Sequence, residues 1–253
     1  KVYSLFGSDS QEAEAITLNF DELTEKEQWL LYRLPEKDLE TRVIETTGTN
    51  ETTDTDPLSD YLIPFSFDIK KLPKRVKQRY DRIVAKKNSY HLDTILDKVS
   101  QYQTVIESLA EKYNIPPIIL YAITLVESGA NAAVNSNGLM QITPIAAKHL
   151  NNLQKEINCY NRKNAAVNLE CGAMLLRYYF DAFAEKDLDR EIQWLSAIAM
   201  YNRGKEGLEN DLEKAKTRNP LSLRRTQTTA EVYMYTAKVV AMIEVLNGTS
   251  LFE

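Results

Sequence analysis

Length, composition and charge exclude several classes of protein. The chain has 253 residues, of which 43% are hydrophobic and 26% charged, so it can bury a sizeable core as one large domain or as one domain with an appendage. No apolar run approaches the ~18 residues that a membrane-spanning helix needs. The net charge of -5 comes without a nucleic-acid-binding motif, so nucleic acid is not an expected partner.

The first 57 residues predict an acid-rich appendage of helical or irregular structure. A short helix is predicted over residues 20–34, with Asp21 as its cap and an apolar face that includes Trp29 and Leu30. Residues 46–57 (TTGTNETTDTDP) are polar and turn-rich, which is typical of a linker. The opening residues KVYSLF are too short for a signal peptide, so we expect that a leader was removed before them or that the chain starts at an artificial boundary.

Residues 58–101 predict a basic and Leu-rich helical lead-in to the main domain. Lysines and arginines are concentrated between Lys70 and Lys87. Such a run can favour an anionic cell-wall polymer, a membrane surface or nucleic acid. The interpretation that we prefer is a solvated helix face that pairs with the acidic appendage.

The main domain, residues 102–253, is predicted to be almost wholly helical, and one of its helices ends at a carboxylate. Pro116 and Pro117 can open a first turn, an apolar run at helical spacing follows, and Gly129 stops the helix. Glu127 then falls in the last turn, where the helix dipole and apolar neighbours both raise its pKa. A raised pKa suits a general acid near neutral pH.

The loop after Glu127 carries many hydrogen-bonding groups and no second carboxylate, because the next acidic residue is Glu156. A glycosidase with two catalytic carboxylates needs a second acid about 5 to 9.5 Å from the first, which this loop does not supply. For an isolated Glu-Ser pair, an ordinary solvated helix end is the simpler interpretation. The hypothesis of a site therefore depends on the motifs that follow.

The rest of the main domain predicts a mainly α fold. One apolar stripe at helical spacing consists of Tyr102, Val105, Ile106, Leu109, Ala110 and Tyr113, and another of Leu175, Leu176, Tyr179, Phe180 and Phe183. A short β-hairpin in the 130s to 140s is compatible with the turn-rich loop.

The cysteines and histidines indicate neither a metal nor a cofactor. Cys159 and Cys171 could form a disulfide in an oxidising compartment, but a small buried side chain at Cys171 is the interpretation that we prefer. The only histidines are His91 and His149, and no Cys or His pair has zinc spacing. We therefore expect no metal site.

Four sequence blocks follow one another in the main domain. They are Glu127-Ser128 with Gly138-Leu139-Met140-Gln141, then Asn168-Leu169-Glu170-Cys171-Gly172, then Met200-Tyr201-Asn202-Arg203-Gly204, then Glu231-Val232-Tyr233-Met234-Tyr235-Thr236. In this order they resemble the ES…GLMQ, N-I-x-x-G, A-Y-N-x-G and E-T-x-x-Y-V signatures of the lytic transglycosylases of glycoside hydrolase family 23. Upstream, Ile63-Pro64-Phe65 and Arg75-Val76 resemble the membrane-bound lytic murein transglycosylase D type. The resemblance covers residues 58–245.

The resemblance implies a goose-lysozyme-like (SLT) helical domain with a substrate groove, in which Glu127 is the catalytic acid. It implies cleavage of the β-1,4 bond between N-acetylmuramic acid and N-acetylglucosamine, with formation of 1,6-anhydro-N-acetylmuramic acid and no cofactor. The substrate-binding residues that it implies are Ser136, Gly138, Met140, Gln141, Tyr201, Asn202 and Tyr235. The Tyr201 phenol is expected to hydrogen-bond near Glu127 or the substrate. In one departure, only Asn137 separates Ser136 from Gly138, so the loop is shorter than the family's.

Two other functions stay open. A goose-type lysozyme shares the fold and the acid but adds water, for which it requires another carboxylate. A non-catalytic peptidoglycan-binding protein of the envelope would keep only the fold. We expect a monomer that binds peptidoglycan glycan strands, with the acidic appendage as a candidate contact for an envelope protein. We expect it in the periplasm or cell envelope, including the outer membrane.

Overall fold

A computed structural model describes residues 2–5, 16–19, 65–67, 72–85, 92–184, 188–223 and 229–249 of the chain. The chain divides into two compact units, Lys1–Thr55 and Asp56–Glu253. The predicted helix at 20–34 and the predicted linker at 46–57 lie outside the described residues.

The described part of the first unit is a pair of antiparallel strands. Strand β1 (Val2–Leu5) pairs with β2 (Ile16–Asn19), and Tyr3 lies opposite Leu18. The sequence analysis did not predict these strands. Four residues are too few for an alternating apolar pattern to stand out from the background.

The second unit is helical wherever it forms regular structure in the described residues, which confirms the mainly α prediction. Its helices are α1 (Lys74–Ala85), α2 (Leu92–Ser100), α3 (Gln103–Tyr113), α4 (Pro117–Ser128), α5 (Pro144–Leu153), α6 (Ala165–Ala184), α7 (Arg190–Arg203), α8 (Lys205–Ala215) and α9 (Ala230–Asn247), with a short 3-10 helix at Pro220–Ser222. The hairpin considered for the 130s to 140s does not form. Residues 129–143 form turns instead, because local backbone hydrogen bonds, such as that from the Ile142 N–H to the Asn137 carbonyl, and the Asn168 side chain satisfy their backbone groups.

Helix α4 lies at the centre of the second unit. Residues 118–125 are all buried, in keeping with their continuous apolar character. Helices α9, α3 and α2 pack around α4, while α6 packs on α7 and α3. The predicted stripes face this core: Ile106 and Tyr113 of α3 are buried, as are Phe180 and Phe183 of α6.

The ends of α4 fall where the sequence predicts them. Pro117 is its first residue, and Gly129 caps its C-terminus with a φ of 61°, the left-handed region that favours glycine. The Gly129 N–H donates to the Leu125 carbonyl over 3.0 Å. Glu127 therefore occupies the last turn, as predicted. None of the described helices combines the length and the apolar character needed to cross a bilayer.

Candidate active site

Glu127 lies half-buried where the end of α4 meets α9. The Tyr235 hydroxyl donates to Glu127 Oε1 over 2.6 Å. The Lys238 ammonium donates to the carbonyl of Val126, the preceding residue, over 3.2 Å. Tyr235 and Lys238 are three residues apart on α9, so they share one face of that helix.

The surroundings of Glu127 have opposing effects on its pKa. Burial raises the pKa of Glu127, whereas the hydrogen bond from Tyr235 and the charge of Lys238 lower it, and the net direction is upward. The protonated acid is therefore favoured by desolvation, while the carboxylate is kept accessible by a donor and a cation. A group balanced in this way can give a proton and take one back.

Two tyrosines near Glu127 have different partners. Burial and the charge of Glu127 raise the pKa of both Tyr201 and Tyr235, so both phenols stay protonated and act as donors. The Tyr201 hydroxyl donates to the Met140 carbonyl over 2.9 Å. Tyr201 is predicted to hydrogen-bond near Glu127 or the substrate; in the structure its hydroxyl binds the loop next to the acid, and the donor to Glu127 itself is Tyr235 of α9.

The loop after α4 has an amide pair at its surface. The Asn135 side chain donates to Gln141 Oε1 over 2.6 Å, and Gln141 Nε2 donates to Asn135 Oδ1 over 3.1 Å and to the Gly138 carbonyl over 2.6 Å. Gln141 has a φ of 52°, which turns the chain sharply at that point. Ser136 is exposed and makes no side-chain hydrogen bond to any described residue. In this arrangement Ser136 is available to a ligand, whereas Gln141 is bound within the loop.

Asn168 of α6 holds the underside of this loop. It is 1% exposed, and its Oδ1 accepts from the Met140 N–H over 2.7 Å. Its Nδ2 donates to the Asn137 carbonyl over 2.7 Å and to the Arg162 carbonyl over 3.0 Å. Both donors and the carbonyl oxygen of this buried amide are satisfied, so Asn168 fixes the loop from three directions.

Arg162 and Gly138 complete the support. Arg162 Nη1 donates to Asn137 Oδ1 over 2.6 Å and to the Ile142 carbonyl over 3.2 Å. Gly138 has a φ of 76°, and a Cβ placed on it would lie 2.3 Å from the Arg162 carbonyl oxygen. Only glycine fits there, because the position combines left-handed backbone with contact closer than van der Waals distance.

Met140 belongs to the core. It is fully buried, and a Cβ at Gly172 of α6 would lie 2.1 Å from its Sδ. The Gly of the N-L-E-C-G block thus makes room for the Met of the G-L-M-Q block. Of the residues proposed to bind substrate, Met140 and Gly138 are buried residues of the loop and shape it, while Ser136 and Asn202 are exposed.

Cys159 and Cys171 form a disulfide, with their Cα atoms 5.9 Å apart. This corrects the preferred interpretation of Cys171 as an unpaired buried side chain. Both residues are buried, and the bond joins α6 to the segment that carries Arg162. The sequence spacing could not decide the pairing, because it depends on how the segment returns to the helix.

Sequence reasoning missed Lys238, Arg162 and the contacts of Asn168. Lys238 could have been found from its spacing to Tyr235 on one helix face. Arg162 belongs to no motif, and only the fold brings it under the loop. Among the described residues, no group of three or more His, Cys, Asp or Glu side chains is placed to hold a metal ion.

Comparison with known proteins gives one match, to a family model. No curated protein is similar enough to count as a match. Residues 104–222, which run from α3 through the loop and α6 to the 3-10 helix, match the family model described as Transglycosylase SLT domain.

Proposed function

We propose that the chain is a peptidoglycan lytic transglycosylase. It cleaves the β-1,4 bond between N-acetylmuramic acid and N-acetylglucosamine and forms 1,6-anhydro-N-acetylmuramic acid. The observation that carries the proposal is a single half-buried carboxylate, Glu127, with a raised pKa and a phenol donor at 2.6 Å. The match of residues 104–222 to the Transglycosylase SLT domain supports the same substrate class.

In the first step, protonated Glu127 donates to the glycosidic oxygen. The bond from that oxygen to the anomeric carbon of muramic acid breaks, and the N-acetylglucosamine leaving group takes the proton. The neighbouring acetamido group of the substrate stabilises the positive charge that develops. No second protein carboxylate is needed for this role, and the loop at 129–143 contains none.

In the second step, ionised Glu127 accepts the proton of the muramic acid 6-hydroxyl. The oxygen then closes on the anomeric carbon, so Glu127 returns to its acid form and no water is consumed. Tyr235 and Lys238 stabilise the ionised form in which Glu127 enters this step. Ser136 and Asn202 are the exposed candidates for contacts with the sugar.

The rival hydrolytic reaction of a goose-type lysozyme needs a carboxylate that positions water. No described carboxylate makes a hydrogen bond or an ion pair with Glu127 or its loop, and this favours the transglycosylase. We further propose the membrane-bound D type and a periplasmic or envelope location. The Cys159–Cys171 bond supports that location, because disulfides persist in oxidising compartments.

Mass spectrometry of the soluble products from purified peptidoglycan tests the function. We expect anhydro-muropeptides from the wild type and none from Glu127→Gln, which keeps the shape but cannot donate the proton. Glu156→Gln is the matched control, because Glu156 is exposed and, among the described residues, its carboxylate accepts a hydrogen bond from Gln154 alone. Reducing-end products would identify a lysozyme, and the absence of products from the wild type would favour a binding role.

A further inference from the structure

Asn135 and Gln141 form a reciprocal amide pair on the exposed side of the loop at 129–143. Asn135 Nδ2 donates to Gln141 Oε1 over 2.6 Å, and Gln141 Nε2 donates back to Asn135 Oδ1 over 3.1 Å. Asn135 is exposed, whereas Asn168 holds the same loop from its buried side. Asn135 belongs to none of the four sequence blocks, and it has no role in the proposed reaction.

Backbone groups fix which atom of each amide is the oxygen and which is the nitrogen. The Asn137 N–H donates to Asn135 Oδ1 over 2.7 Å, so that atom must be the oxygen. The Gly138 carbonyl accepts from Gln141 Nε2 over 2.6 Å, so that atom must be the nitrogen. Turning either amide over would place donor against donor or acceptor against acceptor. The hydrogen-bonding groups of the pair can therefore be counted.

The count leaves one donor of the pair unused. Gln141 Nε2 gives one hydrogen to Asn135 and the other to the Gly138 carbonyl. Asn135 Oδ1 accepts from both Gln141 and the Asn137 N–H. Asn135 Nδ2 gives one hydrogen to Gln141, and its second hydrogen has no acceptor among the described residues. This N–H therefore belongs to a side chain that is held in place, and it lies at an exposed position next to Ser136.

A fixed and uncharged N–H donor selects an uncharged acceptor. On a glycan strand the acetamido carbonyl fits this donor, because it is the same amide group as the backbone carbonyl and a strong acceptor. The contact would also extend the chain of amide hydrogen bonds that runs from Asn135 through Gln141 to the Gly138 carbonyl, and each bond in such a chain polarises the next. The loop contains no acidic side chain that would prefer an amine instead.

We propose that Asn135 determines specificity by donating this hydrogen to the acetamido carbonyl of an N-acetylglucosamine unit of the strand. The inference rests on the proposed function, which brings the glycan to this loop. The sugar is not the reacting muramic acid, because the acetamido group of that sugar stabilises the charge at its own anomeric carbon, and a donor on its oxygen would oppose this. Asn135 therefore acts on binding and not on the chemical step.

Cleavage of two peptidoglycans tests the contact. One is fully N-acetylated, and in the other only the glucosamine units are de-N-acetylated. We expect the wild type to favour the acetylated substrate by about 10-fold in kcat/KM, mainly through KM. Asn135→Asp keeps the oxygen that accepts from Asn137 but replaces the donor with a second oxygen. It should lose or reverse the preference, because a carboxylate repels the acetamido oxygen and attracts an amine.

Asn131→Asp is the matched control, because it adds the same charge to the same loop. Asn131 is exposed, and its Oδ1 accepts from the Ala133 N–H over 3.0 Å in the same kind of turn, but it does not bind Gln141. This variant should keep the preference of the wild type. A general distortion of the loop by Asn135→Asp would lower cleavage of both substrates alike, so an unchanged ratio of kcat/KM in that variant would overturn the contact.

Binding separates failure of this contact from failure of the proposed function. The N-acetylglucosamine hexamer is titrated calorimetrically into the full chain with Glu127→Gln, which prevents turnover, and into double variants that add Asn135→Asp or Asn131→Asp. We expect binding to weaken by about 10-fold with Asn135→Asp only. That result without cleavage by the wild type would overturn the transglycosylase and leave the contact standing. Cleavage by the wild type with equal binding by all three proteins would overturn the contact alone, and binding by none of them would also overturn it.

Discussion

Two sides of Glu127 are built in different ways. On one side, the loop wall consists of residues 129–143 with Arg162 and Asn168 beneath them, held by amide, backbone and disulfide bonds. On the other, the helix wall consists of Tyr235 and Lys238 of α9. The loop wall contains no acidic side chain, whereas the helix wall brings a phenol and an ammonium group to Glu127 and the residue before it. One side sets the shape around the acid, and the other sets its affinity for a proton.

The largest expected effect comes from a substitution that distorts the loop wall. Gly138→Ala should lower the free energy of unfolding by about 3 to 5 kcal/mol, because the new Cβ meets the Arg162 carbonyl and the left-handed backbone is strained as well. Gly129→Ala is the control, since Gly129 has a similar φ of 61° but no atom within 4 Å of a new Cβ. It should cost only the strain, about 1 to 2 kcal/mol. Chemical denaturation measures both, and equal losses would contradict the close contact.

Removal of the disulfide should have the next largest effect. The pair Cys159→Ala with Cys171→Ala should lower the free energy of unfolding by about 3 kcal/mol, as expected for a loop of this length. The segment that carries Arg162 is then less constrained, so kcat/KM should fall as well. Reductant during denaturation should lower the free energy of unfolding of the wild type and leave that of the double variant unchanged. Equal unfolding free energies for the two proteins would show that the bond adds nothing.

The smallest expected effect separates the two tyrosines. Tyr201→Phe removes a hydrogen bond to the Met140 carbonyl and should slow cleavage by about 2- to 10-fold at every pH. Tyr235→Phe removes a bond that stabilises ionised Glu127, so the pKa of Glu127 rises further. The reaction starts from protonated Glu127 and is lost as the pH rises through that pKa, so the alkaline limb should move to higher pH. The pH dependence of kcat/KM measures both.

An alkaline limb that moved for Tyr201→Phe and stayed fixed for Tyr235→Phe would reverse the roles given to the two walls. Lys238 acts on Glu127 in the same direction as Tyr235, so the Tyr235 variant still contains one group that favours the carboxylate. The Tyr235→Phe protein should therefore remain active at pH values below its alkaline limb.

The sequence predicted local features such as helix ends, and it missed contacts between residues that are far apart along the chain. Proline and glycine mark the ends of α4, so the sequence alone could predict that Glu127 lies in its last turn. The motif residues of the loop could also be identified from the sequence. In the structure, however, Met140 belongs to the core and Gln141 is hydrogen-bonded within the loop. Packing of distant helices decides both outcomes, and no spacing rule encodes it.

The helix wall shows the same limit more clearly. Tyr235 could be named from its motif, but its partner could not, because 108 residues separate it from Glu127. Lys238 reaches the Val126 carbonyl only through the packing of α9 on α4. The sequence likewise did not decide the Cys159–Cys171 bond, because the bond depends on how the segment before α6 packs against that helix.

The packing of α9 determines which stretch of chain can be exchanged as a unit. The family match ends at residue 222, but Tyr235 and Lys238 come later and α1 comes before residue 104. Glu244 of α9 also accepts a hydrogen bond from the Phe67 N–H over 2.7 Å, and Asn247 donates to the Phe65 carbonyl over 3.3 Å. A chimaera that grafted residues 104–222 onto another protein would carry the acid without the groups that tune it. Recombination that preserves the chemistry must transfer the whole of Asp56–Glu253.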